Sequence, residues 1–327
     1  MSELSPVVPS SDGTTRPPGA LSVGLDVGGT KVLGVLLGPE GNVLATLRIP
    51  TRYGPEGVVA SAVEAVRGLA EPAGVDPTEL SGVGIGVPGL VDPATGSVVH
   101  AVNLGIEGKP FALAAQVSAE LGGVAVSVDN DLNVAALGAA HAAPPSASGD
   151  LAFLALGTGM AAGIVLAGEL RRGVSGAAGE IGHVPVDPAG PECPCGQRGC
   201  LETFVSGTAL SARWPSREGR PAPAELFDAA AAGVPEAVQI KHEFVTAVAS
   251  AVRLLVLTYD VDRVVLGGGV SALGVPLLDG VREALARQAD GSPFIASLAI
   301  ADRVALCPPD VPVAAVGAAL AGRKEVS

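Results

Sequence analysis

The stretch Leu21-Ser-Val-Gly-Leu-Asp-Val-Gly-Gly-Thr-Lys-Val-Leu-Gly-Val-Leu-Leu37 decides the fold. Residues 21–27 and 32–37 are aliphatic, β-branched runs of strand length parted by glycines, which reads as two antiparallel strands around a turn. A second turn at 38–41 leads into a third strand over 42–49, so the chain opens as a meander. Residues 57–70 then space Val58, Val59, Ala62, Val63, Val66 and Leu69 at helical intervals. Residues 82–87 return as a continuous apolar strand, the pattern of a sheet covered on both faces. A second cycle follows, with a helix over 110–121, a strand over 124–128, a helix over 132–143, a Pro-Pro-Ser-Ala-Ser-Gly linker at 144–149 and a new hairpin from Leu151. Strands alternating with helices make the chain α/β.

The opening hairpin repeats. At an offset of 129 residues Leu25, Gly28, Gly34, Val35 and Leu37 fall on Leu154, Gly157, Gly163, Ile164 and Leu166. Each copy is followed by a glycine-ended strand, Val83-Gly-Ile-Gly-Val-Pro-Gly89 in the first and Val264-Val-Leu-Gly-Gly-Gly269 in the second. The second spacing is longer by an insertion of some 54 residues that holds three of the four cysteines. Gly- and Ala-rich sequence matches itself easily, so coincidence is the competing explanation. Duplication predicts two similar lobes with a cleft lined by glycine turns, the kind of place where small ligands bind. The expected division is a disordered tail over 1–20, an N-terminal lobe over 21–128 with a C-terminal helix over 312–327 packing back onto it, and a C-terminal lobe over 129–311.

Composition narrows the function. At about 150 residues per domain, 327 residues make about two domains. A net charge of −13 argues against binding a phosphate backbone by bulk charge. Mean hydropathy is positive, at +0.46. The 18-residue uncharged run 151–168 is nonetheless broken by Gly157, Gly159 and Gly163 and falls short of the roughly 20 apolar residues a bilayer span needs. Residues 1–20 carry four prolines and no basic-then-apolar leader pattern. Cysteines clustered at 193, 195 and 200 suit a metal in a reducing compartment rather than a secreted disulfide framework, so a cytoplasmic protein is expected.

Asp26-Val-Gly-Gly-Thr-Lys31 is a candidate phosphate cradle, because Gly28 and Gly29 let backbone N–H groups approach an anion while Thr30 and Lys31 supply a hydroxyl and a cation. It lacks the spacing and following helix of a Walker loop, and a plain hairpin turn competes. Asp26 tips the balance: an acid ending a buried apolar strand is costly unless it faces a cation such as Mg²⁺ beside a phosphate. Gly157-Thr158-Gly159 and Gly267-Gly268-Gly269 are two further turns that would complete the cradle for a nucleoside triphosphate. Asp129, Asn130, Asp131 and Asn133 cluster where a strand meets a helix. Helix capping explains one such residue, not four. Phosphoryl transfer to a hydroxyl needs a carboxylate to accept the proton, and Asp131 is the candidate base.

Glu180-Ile-Gly-His183 followed by Cys193-Pro-Cys195-Gly-Gln-Arg-Gly-Cys200-Leu-Glu202 is the sharpest motif. His183, Cys193, Cys195 and Cys200 make a Cys₃His set, which a structural Zn²⁺ fills without an open position. Free thiols or a redox pair compete, although Cys-X-Cys strains an intramolecular bridge. Glu180, Glu202 and the second ring nitrogen of His183 could hydrogen-bond a polyol, with solvated surface carboxylates as the plain alternative. Cys307 is expected to pack in an apolar strand.

These motifs, in this order, resemble the ROK family of repressors and sugar kinases within the actin-like ATPase superfamily, over about residues 21–323. The resemblance implies two ribonuclease-H-like lobes with ATP and Mg²⁺ between them, a zinc knuckle inserted in the second, and a homodimer or homotetramer. It implies that Asp131 deprotonates the sugar 6-hydroxyl, that Gly89, Asn103, Asn130, Glu180, His183 and Glu202 hold the sugar, and that the three glycine turns hold the nucleotide. Family repressors carry a helix-turn-helix before the first hairpin, which twenty Pro- and Ser-rich residues cannot form, so no nucleic acid partner is expected. Thr30 runs directly into Lys31 without the extra glycine of polyphosphate-using members, which favours ATP. The expected activity is an ATP-dependent hexose kinase, first a glucokinase, with an N-acetylhexosamine or fructose kinase as the alternative. A catalytically silent sugar-binding regulator is the third reading, because Ala161 and Ala162 replace the glycine pair usual after the Gly-Thr-Gly turn.

Overall fold

The computed structural model describes residues 21–144 and 148–323 together with a short strand at Glu3–Leu4. The rest of the expected tail, the middle of the Pro-Pro-Ser-Ala-Ser-Gly linker and residues 324–327 lie outside the described residues. The chain divides into two compact units, Met1–Ala143 with Asp310–Ser327, and Pro144–Pro309.

In the first unit the strands are β1 (Glu3–Leu4), β2 (Ser22–Val27), β3 (Lys31–Leu37), β4 (Val43–Pro50), β5 (Gly82–Val87), the small hairpin β6 (Leu90–Asp92) and β7 (Ser97–Val99), and β8 (Val126–Asn130). β2, β3 and β4 form the expected antiparallel meander, and β5 and β8 add in parallel beside β2, giving the order β1-β4-β3-β2-β5-β8. Helix α1 (Pro55–Ala70) follows β4, with Pro55 opening it where the missing N–H costs nothing. It buries Val58, Ala62, Val66 and Leu69 on the core of this sheet. Helix α2 (Leu113–Glu120) and helix α3 (Asp131–Ala142) flank β8.

The C-terminal helix Val313–Gly322 lies on the same sheet and against α3. Its approach explains part of the glycine content. A side chain on Gly24 of β2 or Gly84 of β5 would run into the helix carbonyls of Ala315 and Ala318, and one on Gly138 of α3 into that of Val313. This packing also moves the expected boundary. β8 stays hydrogen-bonded to β5 as far as the Val87–Asn130 pair, and α3 is pinned to the C-terminal helix, so the first unit runs to Ala143 rather than 128. Asp131, expected on the second lobe, is therefore carried by the first unit.

In the second unit the strands are β9 (Leu151–Leu156), β10 (Met160–Leu166), β11 (Glu169–Leu170), β12 (Arg263–Gly267) and β13 (Val304–Leu306). Their order, β11-β10-β9-β12-β13, repeats the first sheet: a meander with two parallel strands added beside its first strand. The inserted stretch between β11 and β12 carries the cysteine motif and α4 (Glu202–Val205), α5 (Gly207–Arg213), α6 (Ala222–Ala231) and α7 (Pro235–Tyr259). Helix α7 buries Phe244, Val248 and Leu255 with Leu154 and Leu156 of β9. Helices α8 (Val275–Ala289) and α9 (Pro293–Ser297) join β12 to β13. Cys307 sits half-buried just past β13, where burial pushes its thiol pKa up, as fits packing. Among the described residues no helix is long and apolar enough to cross a membrane.

Candidate functional site

In the first unit the turn 28–30 is closed by the Gly28 N–H donating to the Lys31 carbonyl at 2.9 Å. Thr30 and Lys31 point their side chains into solvent. Gly29 lies against the short turn that carries Asn103; a Cβ there would stand 2.8 Å from the Asn103 carbonyl oxygen. The structure thus brings together a residue expected to hold phosphate and one expected to hold sugar. Asp26, on β2 beside Gly86, is largely buried. Its pKa is raised to about 6, by burial first and then by the nearby Asp131 carboxylate, with Lys31 pulling the other way. Two carboxylates held close in this way would be stabilised by a divalent cation.

The polar cluster at the β8–α3 junction divides its work. Asn130 is the helix cap: its Oδ1 accepts the Leu132 N–H at 3.0 Å, and its Nδ2 donates to the Gly89 carbonyl at 3.1 Å. Gly89 adopts a left-handed φ of 97°, open to glycine, and a side chain would press on the Ala101 backbone. Asp129 is buried and accepts from the Asn130 N–H at 2.8 Å and Asn133 Nδ2 at 2.9 Å. Capping is thus met mainly by Asn130. Asp131, the first residue of α3, has its carboxyl pKa raised by burial against a hydrogen bond from the Leu132 N–H that lowers it. A raised carboxyl pKa is what a general base working near neutral pH requires.

In the second unit the turn 157–159 is closed by the Gly157 N–H donating to the Gly159 carbonyl at 3.0 Å, and the Gly207 N–H donates to the Gly157 carbonyl at 2.7 Å. Gly268, at a φ of 81°, packs on the Leu156 backbone, so two of the three glycine turns meet. Gly159 faces the Glu202 carboxylate, whose Oε2 would be 2.9 Å from a Cβ. Thr158 and Gly159 line a pocket of about 530 Å³ with Glu192, Pro194, Glu202 and Thr208. Ala161 and Ala162 are strand residues of β10, past the turn, and Ala162 is fully buried. Glu180 is exposed at the start of the short turn Ile181–His183. Gly179 docks that turn on β10: its carbonyl accepts the Ala162 N–H at 2.8 Å, and any side chain on it would strike the Ala162 carbonyl.

His183, Cys193, Cys195 and Cys200 converge, with their ligand atoms all within 4.8 Å of one another. Cys195 Sγ lies 3.7 Å from Cys200 Sγ, and Cys193 Sγ lies 3.6 Å from His183 Nδ1. A tetrahedron with Zn–S bonds of about 2.3 Å and a Zn–N bond of about 2.0–2.1 Å has edges of about 3.8 and 3.6 Å, so the donor set fits zinc. The Gln197 backbone N–H, its side-chain amide and the Cys193 thiol hold Cys195 down to about 6, ready to serve as a thiolate ligand. Glu202 backs the cluster, with Oε1 3.7 Å from His183 Nδ1 and accepting from Cys193 Sγ at 3.3 Å.

Sequence reasoning passed over Gly179, Gly207 and Thr51. Gly179 stood beside a motif already recognised. Nothing local marks Gly207 or Thr51, whose roles arise from contacts distant in sequence.

Residues 22–304 match the ROK family. The chain is 32% identical over 295 residues to a glucokinase of Halalkalibacterium halodurans, covering 83% of this chain and 88% of that one. It is 32% identical over 276 residues to an N-acetylmannosamine kinase of Vibrio cholerae, covering 84% and 91%. Among solved structures, a ROK family glucokinase from Streptomyces griseus in complex with glucose and AMPPNP superposes with a TM-score of 0.71 at 31% identity, covering 93% of this chain and 99% of that one.

Proposed function

The chain belongs to the ROK family, and on that premise we propose that it is an ATP-dependent hexose kinase, a glucokinase, transferring the γ-phosphoryl group of ATP to the sugar 6-hydroxyl. The observation that carries this reading is the pair of nearby carboxylates Asp26 and Asp131, both with raised pKa, at the end of a sheet whose exposed turn offers Thr30 and Lys31. Asp131 accepts the hydroxyl proton as the sugar oxygen takes the phosphoryl group and ADP leaves. Asp26 would hold the Mg²⁺ that travels with the nucleotide, neutralising phosphate charge, and Gly28, Gly29, Thr30 and Lys31 would hold phosphate. Gly157, Thr158, Gly159 and 267–269 complete the nucleotide contacts. Gly89, Asn103, Asn130, Glu180, His183 and Glu202 orient the sugar. Catalysis here is positioning and charge neutralisation.

Zinc on His183, Cys193, Cys195 and Cys200 supplies structural cross-linking and a fixed His183 ring. A thiolate set of this kind needs a reducing compartment, which supports a cytoplasmic location. A homodimer or homotetramer belongs to the same reading and is checked by light scattering. The N-acetylmannosamine kinase relative supports an N-acetylhexosamine acceptor as the second reading. The silent sugar-binding regulator is the third reading: Ala161 and Ala162 follow the turn directly, as the second and third residues of β10, and sugar binding without nucleotide binding would select it.

The test is coupled ADP release with Mg·ATP on glucose, N-acetylglucosamine, N-acetylmannosamine, fructose and no sugar. Release that depends on glucose is expected. Release with an N-acetylhexosamine alone selects the second reading, and silence on every sugar from folded, zinc-loaded protein contradicts a kinase.

A further inference from the structure

The turn 28–30 is not held by its own hydrogen bond alone. Thr51, the residue after β4, donates from Oγ1 to the Gly28 carbonyl at 2.6 Å, and its backbone N–H donates to the Thr30 carbonyl at 3.2 Å. Two of the turn's carbonyls, those of Gly28 and Thr30, are thereby tied to one residue, 23 positions away from the first of them.

Thr51 is itself fixed from behind. The Arg52 N–H donates to Ser61 Oγ at 3.0 Å, and Ser61, fully buried on α1, donates in turn to the Gly57 carbonyl at 2.9 Å. The Arg52 guanidinium meets Glu64 of the same helix at 2.6 Å. Two residues on, the Gly54 N–H donates to the Leu104 carbonyl at 3.0 Å, next to Asn103, whose carbonyl abuts Gly29. The segment 51–54 is therefore clamped to α1 and touches both the phosphate turn and the Asn103 turn. A polar group that aims backbone N–H donors at a ligand must be rigid to within about 0.5 Å to matter, and this one has the support to be so.

We propose that Thr51 is a positioning residue for the nucleotide: its hydroxyl turns the Gly28 carbonyl away from the phosphate position and holds the neighbouring N–H groups toward it. The proposal rests on the reading of 28–31 as the phosphate-binding turn. It assigns Thr51 no contact with sugar or with the transferred group.

The experiment compares Thr51→Val, which keeps the shape and removes the hydroxyl, with Thr51→Ser, which keeps the hydroxyl. Steady-state kinetics on the accepted sugar and calorimetric titration with Mg·ADP are read for each. Loss of one partly buried hydrogen bond predicts a KM for Mg·ATP and a Kd for Mg·ADP raised about 5- to 20-fold in Thr51→Val. The KM for sugar and kcat should stay within about twofold, and Thr51→Ser within about twofold of wild type throughout. A Thr51→Val protein with unchanged nucleotide affinity overturns the proposal. So does a loss shared equally by sugar and nucleotide, or one that Thr51→Ser fails to rescue, since either marks a purely structural role. Wild-type protein that binds Mg·ADP but phosphorylates no sugar contradicts the kinase reading alone, and Thr51 is then judged on the Kd values. Wild-type protein that binds no nucleotide overturns both.

Discussion

The two glycine turns, 28–30 and 157–159, sit at the same place in two sheets of the same strand order, yet they are built differently. In the first, Val27 pairs with Val32; in the second, Leu156 pairs with Met160, a register one residue tighter at the equivalent position. The first turn carries Asp26 before it and Lys31 after it, and is tied from outside by the Thr51 hydroxyl. The second has no charged residue between Leu151 and Gly168 and is tied by a backbone N–H from Gly207. Two sheets of one strand order thus carry turns of different register and different flanking charge, and on the proposed reading the charged first turn serves cation and proton transfer while the second offers backbone N–H donors.

The largest effect that separates the copies is expected at Asp131. Asp131→Asn should lower kcat by about 10²- to 10⁴-fold, the usual range for a general base, with sugar binding little changed. Near-normal turnover would remove Asp131 from the role and the asymmetry with it.

Asp26 should show the cost of keeping charge on the first turn. Its folded pKa of about 6 lies above the ordinary 3.8, so its ionisation opposes folding. That penalty is absent below pH 3.8 and grows to its full value as pH rises past 6. Asp26→Asn should therefore stabilise the nucleotide-free protein at neutral pH, by up to about 3 kcal/mol, while impairing activity. Thermal melts at pH 4 and pH 7.5 check this: the gain should appear only at the higher pH. A destabilised variant at neutral pH would mean that Asp26 is already satisfied by neighbours.

Zinc removal probes the second unit. Chelation, or Cys200→Ser, should free His183 and Glu202 and raise the KM for sugar about 10- to 100-fold, more than the KM for Mg·ATP. Metal analysis should find zinc in the untreated protein, and an equal rise in both constants would speak for general unfolding.

A methyl group added to each turn gives the smallest contrast. On Gly29 it meets the Asn103 backbone carbonyl, which cannot step aside, whereas on Gly159 it meets only the side-chain carboxylate of Glu202. Gly29→Ala should raise the KM for Mg·ATP about tenfold and Gly159→Ala about threefold or less. The reverse order would place the more demanding phosphate contact in the second copy.

Much of this was legible in the sequence because it is local. Strand runs, helical spacing and the Cys-Pro-Cys knuckle each state their structure within a few residues. The unit boundary was not legible, because it depends on β8 pairing with β5 and on α3 meeting the C-terminal helix through Gly138. Asp131 was expected just before a helix and proves to be its first residue, since Asn130 takes the cap. Thr51 gave no signal at all: a lone threonine after a proline becomes informative only when folding brings Gly28 to it.

The claim that charge and cation belong to the first turn is tested most directly by titrating ADP, with and without Mg²⁺, into wild type, Asp26→Asn and Gly159→Ala. The account predicts that wild type and Gly159→Ala bind Mg·ADP more tightly than metal-free ADP, and that Asp26→Asn loses most of that preference. A preference that survives intact in Asp26→Asn would contradict it.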